Sequence, residues 1–305
     1  METGTPTVFD HALLAKRRAR AVRTLPQASF LKDRAVADLA DRLEAINRTF
    51  PEAVELGAQG RTLTDELTRR GLLGTRVGAL TVTDPEPGFL AGLERARVAD
   101  FELPGLEPGS VDLVLSAGFL HWINDLPGLL VQARLALRPD GLLLASFLGG
   151  RTLQELRAVL YEAEMELQGG AGARVSPFAD AQDGARLLQR AGFALPVADT
   201  DVVTVRYANP FGLFRDLRAM GESAAFATGG RKGLTRAVIA RAADLYTDRY
   251  SDPDGKVRAT FELVTLTGWS PHESQQKPLR PGSARMRLAD ALGTIEQSTG
   301  EKPGP

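Results

Sequence analysis

The sequence predicts an α/β protein, a doubly wound and mostly parallel sheet with helices on both faces. Three observations predict it. Short apolar runs alternate with segments whose apolar residues recur at helical spacing, the pattern of parallel strands joined by crossover helices. The run Ala53-Val54-Glu55-Leu56 passes into Gly57 and then a helical pattern from Thr62 to Gly71, so strand, glycine turn and helix follow in succession. Finally, several runs end in an acid (Glu55, Asp84, Asp100) where such a sheet opens its crevice.

The chain has 305 residues, 43% hydrophobic and 25% charged, with a formal net charge of −1, which gives no electrostatic footprint for nucleic acid. It has no cysteine, which excludes disulfides, zinc–thiolate sites, iron–sulfur ligation and cysteine nucleophiles. No run approaches the roughly 18 apolar residues of a transmembrane span. Acidic Glu2 and Asp10 argue against a secretory signal.

Two helices precede the first strand, about Asp10 to Thr24 and Leu31 to Ile46, with Pro26 between them. The first carries Lys16, Arg17, Arg18, Arg20 and Arg23, read as a solvated face or as a surface for an acidic partner or anionic lipid. Residues 1–50 are thus expected to form a helical segment ahead of a domain over 51–292. Thr62 is expected to cap the helix after Gly57. Gly78 to Asp84 reads as a second strand, stopped by Pro85 and Pro87. Arg97 to Pro104 reads as a third, bearing Asp100 and Phe101 near its end. Gly109 to Ser116 reads as a buried strand, followed by a helix from about Leu126 to Leu137. Pro139-Asp-Gly141 is expected to turn the chain into a central strand, Leu142 to Phe147. Amphipathic helices over Thr152 to Leu167 and Asp180 to Ala191 lead to an alternating strand, Val202 to Tyr207. A helical insert at about 210–250, with a Gly/Ser-rich break over Met220 to Gly230, is expected to cover the cleft before a last strand, Arg258 to Trp269. A disordered tail is expected over 293–305.

A strand, a glycine turn and a helix N-terminus expose backbone N–H groups to a ligand. With Glu55 before Gly57 this suits S-adenosylmethionine better than a dinucleotide, because there is no pyrophosphate to attract and a cationic amino acid to hold. A plain strand-to-helix turn would look the same. Asp84 can take both ribose hydroxyls, or simply cap its strand. Asp100 can accept from the adenine amino group with Phe101 covering the ring, or the pair can form a surface turn. His121 is the one histidine near the cleft end of a strand. It is the candidate base or substrate-binding group, or else a residue packed beside Trp122.

Several stretches resemble a known family. They are Val8-Phe-Asp10 with the basic run, Phe119-Leu-His-Trp-Ile-Asn-Asp-Leu-Pro127, Leu137-Arg-Pro-Asp-Gly141 and Gly149-Gly-Arg-Thr-Leu-Gln-Glu-Leu-Arg157. Val175-Ser-Pro-Phe178, Arg190-Ala-Gly-Phe193, Asp199-Thr-Asp201, Asp216-Leu-Arg-Ala-Met-Gly-Glu-Ser223 and Gly268-Trp269 complete the set. Together they resemble the class I S-adenosylmethionine-dependent methyltransferase fold. More narrowly, they resemble the respiratory complex I assembly-factor family related to the mitochondrial arginine hydroxylase. Its methyltransferase relatives act in biotin synthesis and share the Leu-His-Trp-x-Asn-Asp-Leu-Pro motif. The resemblance spans about residues 8 to 290.

The resemblance implies a protein that hydroxylates one arginine of a quinone-site-proximal iron–sulfur subunit during complex I assembly, and that binds S-adenosylmethionine. It places Glu55, Gly57, Asp84, Asp100 and Ser116 at expected contact positions. The first motif departs from the pattern. Gln59 stands at the second glycine position, where a side chain hinders close backbone approach, and Arg61 at the third, where it brings a cation toward the sulfonium. A weakened cofactor site is expected. A cleft for an arginine should offer carboxylates and aromatics, and Trp122, Asp125, Glu222 and Trp269 are the candidates, each equally able to be structural. Hydroxylation needs oxygen and electrons. The three histidines, His11, His121 and His272, lie far apart and spell no two-histidine, one-carboxylate iron motif, so that chemistry rests on the resemblance alone and no metal ligand is assigned. The alternatives are a methyltransferase acting on a small molecule or carrier protein, and a non-catalytic assembly chaperone with a degenerate site. No mitochondrial presequence is evident before Phe9, and the chain reads as a bacterial cytoplasmic member.

Overall fold

The strands assemble as one sheet. In chain order they are β1 (Phe50–Leu56), β2 (Val77–Asp84), β3 (Ala96–Val98), β4 (Val111–Ala117), β5 (Leu137–Leu148), β6 (Ala194–Tyr207) and β7 (Val257–Trp269). The sheet order is β3-β2-β1-β4-β5-β7-β6. β1 to β5 pair in parallel, whereas β7 is antiparallel to both β5 and β6. The structure, a computed structural model, describes residues 7–227 and 233–275 together with Asp290, Gly293 and Thr294. Described residues up to Pro271 belong to one compact unit and those from His272 to a second.

Strand periodicity builds the layers. Ala53, Leu113, Leu115, Leu142 and Leu144 share one face with Leu39 and Leu43 of α2 (Phe30–Ala45) and Leu63 and Leu67 of α3 (Thr62–Arg69). Val54, Val114, Leu143 and Ala145 turn to the other face, against Leu129 and Leu130 of α4 (Leu126–Ala136) and Leu188 of α6 (Ala181–Arg190). The remaining helices are α1 (His11–Thr24), α5 (Gln154–Gln168), α7 (Pro210–Met220) and α8 (Arg236–Tyr250).

Several expectations are corrected. The cap position of α3 falls on Arg61, and no side chain caps it, so Thr62 is the first helical residue. β3 stops at Val98, because Asp100 turns the chain by accepting the N–H groups of Glu102 and Leu103 at 2.8 and 3.2 Å. The Pro139–Gly141 stretch does not end one element and start another. It bulges within β5, with Asp140 at φ 66° and a register shift opposite Val111 and Leu113. β6 begins at Ala194, well before Val202. Its polar stretch is held at the sheet edge by α2, whose Arg42 and Arg34 pair with Asp199 and Asp201.

Only part of the insert reaches the cleft. α8 packs on α5, joined by Arg249–Glu162 and Arg241–Glu166 pairs. α7 and the loop after it are tied to the N-terminus instead. Phe9 bridges Phe226, the Asp10 N–H donates to the Ala225 carbonyl at 2.9 Å, Thr24 Oγ1 donates to the Ala219 carbonyl at 2.8 Å, and Arg17 donates to the Ser223 carbonyl. The expected break in the insert is present from Gly221 to Ala227, between the end of α7 and α8, while residues 228–232 lie outside the described residues, as does the expected tail over 293–305 apart from Gly293 and Thr294.

Phe261 of β7 is fully buried and meets Phe30 of α2 edge-on, with centroids 6.3 Å apart. Phe261→Ala is expected to lower stability by about 3–5 kcal/mol with an unchanged denaturant slope in urea unfolding. A midpoint equal to that of the parent would show that α2 is not packed on β7.

Candidate functional site

The strand order reverses between β1 and β4, which opens a crevice at their carboxyl ends. β1 delivers Glu55 there, followed by Gly57 at φ 67° and Gln59 at φ 50°. Gly57 is required. A Cβ at that position would lie 1.9 Å from Cγ of Phe119, whose ring rests against the turn. Ser116 Oγ donates to the Leu56 carbonyl at 3.0 Å and Thr83 Oγ1 to the Glu55 carbonyl at 2.8 Å, fixing the strand ends.

Two cations from the N-terminal helices fill this crevice. Arg18 of α1, its side chain 1% exposed, donates from Nη2 to Asp84 Oδ2 at 2.5 Å. Its guanidinium lies 5.4 Å from the ring centroids of both Phe89 and Phe119. Lys32 of α2 donates from Nζ to the Ala117 carbonyl at 2.7 Å and stands 3.6 Å from Glu55. The basic run is therefore not one solvated face: Lys16, Arg20 and Arg23 are exposed, while Arg18 enters the interior. Burial pushes the Glu55 carboxyl up to about 7, with Lys32 pulling the other way and Asp84 adding to the rise. The same burial lowers the Lys32 ammonium.

The groups expected to meet S-adenosylmethionine are engaged here by the protein's own side chains. Asp84, the residue expected to hold the ribose, gives Oδ2 to Arg18 and to the Gln59 N–H at 2.9 Å, and Oδ1 to the Glu86 N–H at 2.8 Å. Glu55 is fully buried behind Lys32. The cavity left beside Lys32, Gln59, Gly118 and His121 is about 30 Å³, room for about one water molecule. Arg61 is not the obstacle, since it points outward to Asp65 and the Gly92 carbonyl. Asp100 lies on the exposed turn already described. Phe101 stacks between His11 and Phe119, with centroids 4.4 and 5.7 Å away.

His121 and Glu222 meet beside the crevice. The Leu120–Trp122 turn after β4 carries His121, whose Nε2 lies 2.9 Å from Glu222 Oε2. The Trp122 indole N–H donates to Glu222 Oε1 at 3.4 Å. A carboxylate only accepts, so His121 donates from Nε2, leaving Nδ1 buried with no hydrogen-bond partner. The structure thus brings Glu222 to the adjacent His121 and Trp122 from a distant point of the sequence. It does not bring Asp125 or Trp269. Asp125 caps α4 through the Gly128 N–H at 3.0 Å. Trp269 pairs with Leu142 at the opposite end of the sheet and lies under Arg48. Among the described residues no three acids or histidines converge as a metal set.

Sequence reasoning missed Arg18, Lys32, Phe89 and Phe119. The two cations did leave a signal. Arg18 interrupts the stripe Leu14, Ala21, Leu25, and Lys32 the stripe Ala35, Val36, Leu39, where a helix facing a core carries no charge without a partner.

Residues 54–145 match a family described as a methyltransferase domain. The mitochondrial arginine hydroxylase NDUFAF5 of Danio rerio is 35% identical over 291 residues, 93% of this chain and 89% of its own. That of Homo sapiens is 35% identical over 300 residues, 95% and 85% of the two chains. The malonyl-(acyl-carrier protein) O-methyltransferase of Halorhodospira halophila is 34% identical over 265 residues, 83% and 86%. The solved YcgJ protein of Bacillus subtilis superposes with a TM-score of 0.52 at 10% identity, covering 78% of this chain and 99% of its own. A Bacillus halodurans structure described as a candidate methyltransferase gives the same score at 13% identity. The fold is that of the class I methyltransferases.

The raised Glu55 carboxyl has a pH signature. The folded chain holds this proton more tightly than the unfolded chain, so its contribution to stability falls as pH rises from about 4.3, the unperturbed value, to about 7. Glu55→Gln is expected to flatten that part of the stability profile, measured by urea unfolding at stepped pH. An identical slope in the variant would place the titration elsewhere.

Proposed function

The chain belongs to the family of the arginine hydroxylase NDUFAF5, and on that premise we propose that it is an enzyme of methyltransferase fold that hydroxylates an arginine on an iron–sulfur subunit of respiratory complex I during assembly. The observation that carries this reading is the match to the hydroxylases over 93% and 95% of the chain. The buried His121–Glu222 pair supports it. Glu222 orients the imidazole and leaves Nδ1 able to take a proton. The proposed setting is the bacterial cytoplasm. No helix among the described residues is long and apolar enough to cross a membrane. Lys16, Arg20 and Arg23 share the exposed side of α1 and are available to an acidic partner or to anionic lipid.

The filled crevice favours a second reading, a family member that acts as an assembly chaperone and has lost cofactor binding. In both readings the proposed weakness of the S-adenosylmethionine site comes from Arg18, Lys32 and Phe119.

Mass analysis of the partner subunit, purified from strains with and without this chain, tests the activity. One arginine is expected to be heavier by one oxygen atom only when the chain is present, and an unmodified subunit in both strains would end the hydroxylase reading. Calorimetry tests the cofactor site. The parent protein is expected to bind S-adenosylmethionine weakly or not at all. Arg18→Met, which frees Asp84, is expected to bind about tenfold more tightly or better. The same variant leaves a buried carboxylate without its cation and should lose about 3–5 kcal/mol of stability. Micromolar binding by the parent would show that the crevice opens readily and would remove the chaperone reading.

A further inference from the structure

A cavity of about 290 Å³ lies between α5, α7, the start of α8 and the segment Arg174–Phe178. That volume sits at the small end of ligand pockets, about 300 to 1,000 Å³, and suits one long side chain better than a cofactor. Leu156, Leu160, Phe178, Phe214, Leu217 and Ile239 make its walls apolar, and Glu222 is the one acidic residue among the described residues that line it. Arg174, also in the wall, is held by the buried carboxylate of Glu164. Glu222 lines in addition the small cavity shared by Lys32, Gln59 and His121, so it stands between this pocket and the crevice.

We infer that this cavity receives the side chain of an arginine presented by a polypeptide partner, with the guanidinium seated on Glu222. The inference rests on the arginine chemistry proposed above and assigns its binding site. The apolar walls cover the aliphatic stem, which gains from leaving water. The head group meets a carboxylate with capacity to spare. Oε2 accepts from His121 and Oε1 from the Trp122 indole, which leaves each oxygen a lone pair for one prong of the guanidinium fork. The Phe178 ring, 5.8 Å from the His121 ring, adds an aromatic surface beside the cation. A lysine offers a point charge in place of a fork and fits this acceptor pair less well. Bound so, the guanidinium lies next to His121.

The Trp122 indole N–H reports on this site directly, because it shares the Glu222 carboxylate. The chain has two tryptophans, so a Trp269→Phe variant assigns its resonance. Isotope-labelled full-length protein would be titrated with Nα-acetyl-arginine amide and with Nα-acetyl-citrulline amide, of the same shape without the charge. The arginine compound is expected to shift the Trp122 signal saturably and citrulline to bind about tenfold or more weakly. Glu222→Gln should abolish the difference between the two. Leu160→Trp, which fills the wall and leaves Glu222 in place, should abolish binding. A folded parent protein that shows no shift, an equal response to citrulline, or undiminished binding by the Leu160→Trp variant would overturn the inference. Arginine binding without any modified arginine in the partner subunit would sink the activity and leave this site standing. A modified partner subunit with no response here would do the reverse.

Discussion

Two buried ion pairs hold the centre of this protein. Arg18 with Asp84 and Lys32 with Glu55 place two cations and two carboxylates at the ends of β1 and β2, all nearly or fully out of contact with solvent. Charges so placed are costly unless each finds a partner, and removing one member strands the other. The pairs therefore fix where α1 and α2 sit, and those helices decide what the crevice can hold. Nε and Nη1 of Arg18 and both oxygens of Glu55 still lack hydrogen-bond partners, so the cluster is charge-balanced without being fully satisfied.

From that anchor the placing of the N-terminal helices and the loop after α7 follows. α1 carries Arg18 inward on one side and Arg17 toward Ser223 on another, so one helix both closes the crevice and holds the loop after α7. That loop supplies Glu222. The residue that orients His121 is thus positioned by contacts that begin at the N-terminus, and the two sides of Glu222 face two different spaces, the crevice and the apolar cavity. On this methyltransferase scaffold Arg18 and Lys32 stand at the ends of β1 and β2, while a second pocket opens beside the one buried histidine–carboxylate pair among the described residues.

The relatives of this chain are named for different activities, arginine hydroxylation in some and O-methylation of malonyl-(acyl-carrier protein) in others. The sheet and its crevice are common property of the fold and carry little information on reaction type. The contacts particular to this site come from outside the sheet: Arg18 and Lys32 enter the crevice from α1 and α2, and the loop that opens after α7 supplies Glu222.

The sequence by itself determined the sheet, the alternation of strands and helices, the glycine turn after β1 and the family. Apolar periodicity and a required left-handed turn are local properties, written within a few residues. It also nominated Glu55, Asp84, His121 and Glu222. What only the tertiary structure decided is how they are used. Arg18 reads as one more cation in a basic run until α1 is docked, when burial makes it the partner of Asp84. The antiparallel placing of β7, the split of the insert between cleft and α5, and the removal of Asp125 and Trp269 from the site are likewise settled by long-range packing. Whether a charged or aromatic residue is a cap, a plug or a ligand group depends on what faces it. The residue that faces it is often more than sixty positions away, as Asp84 is from Arg18.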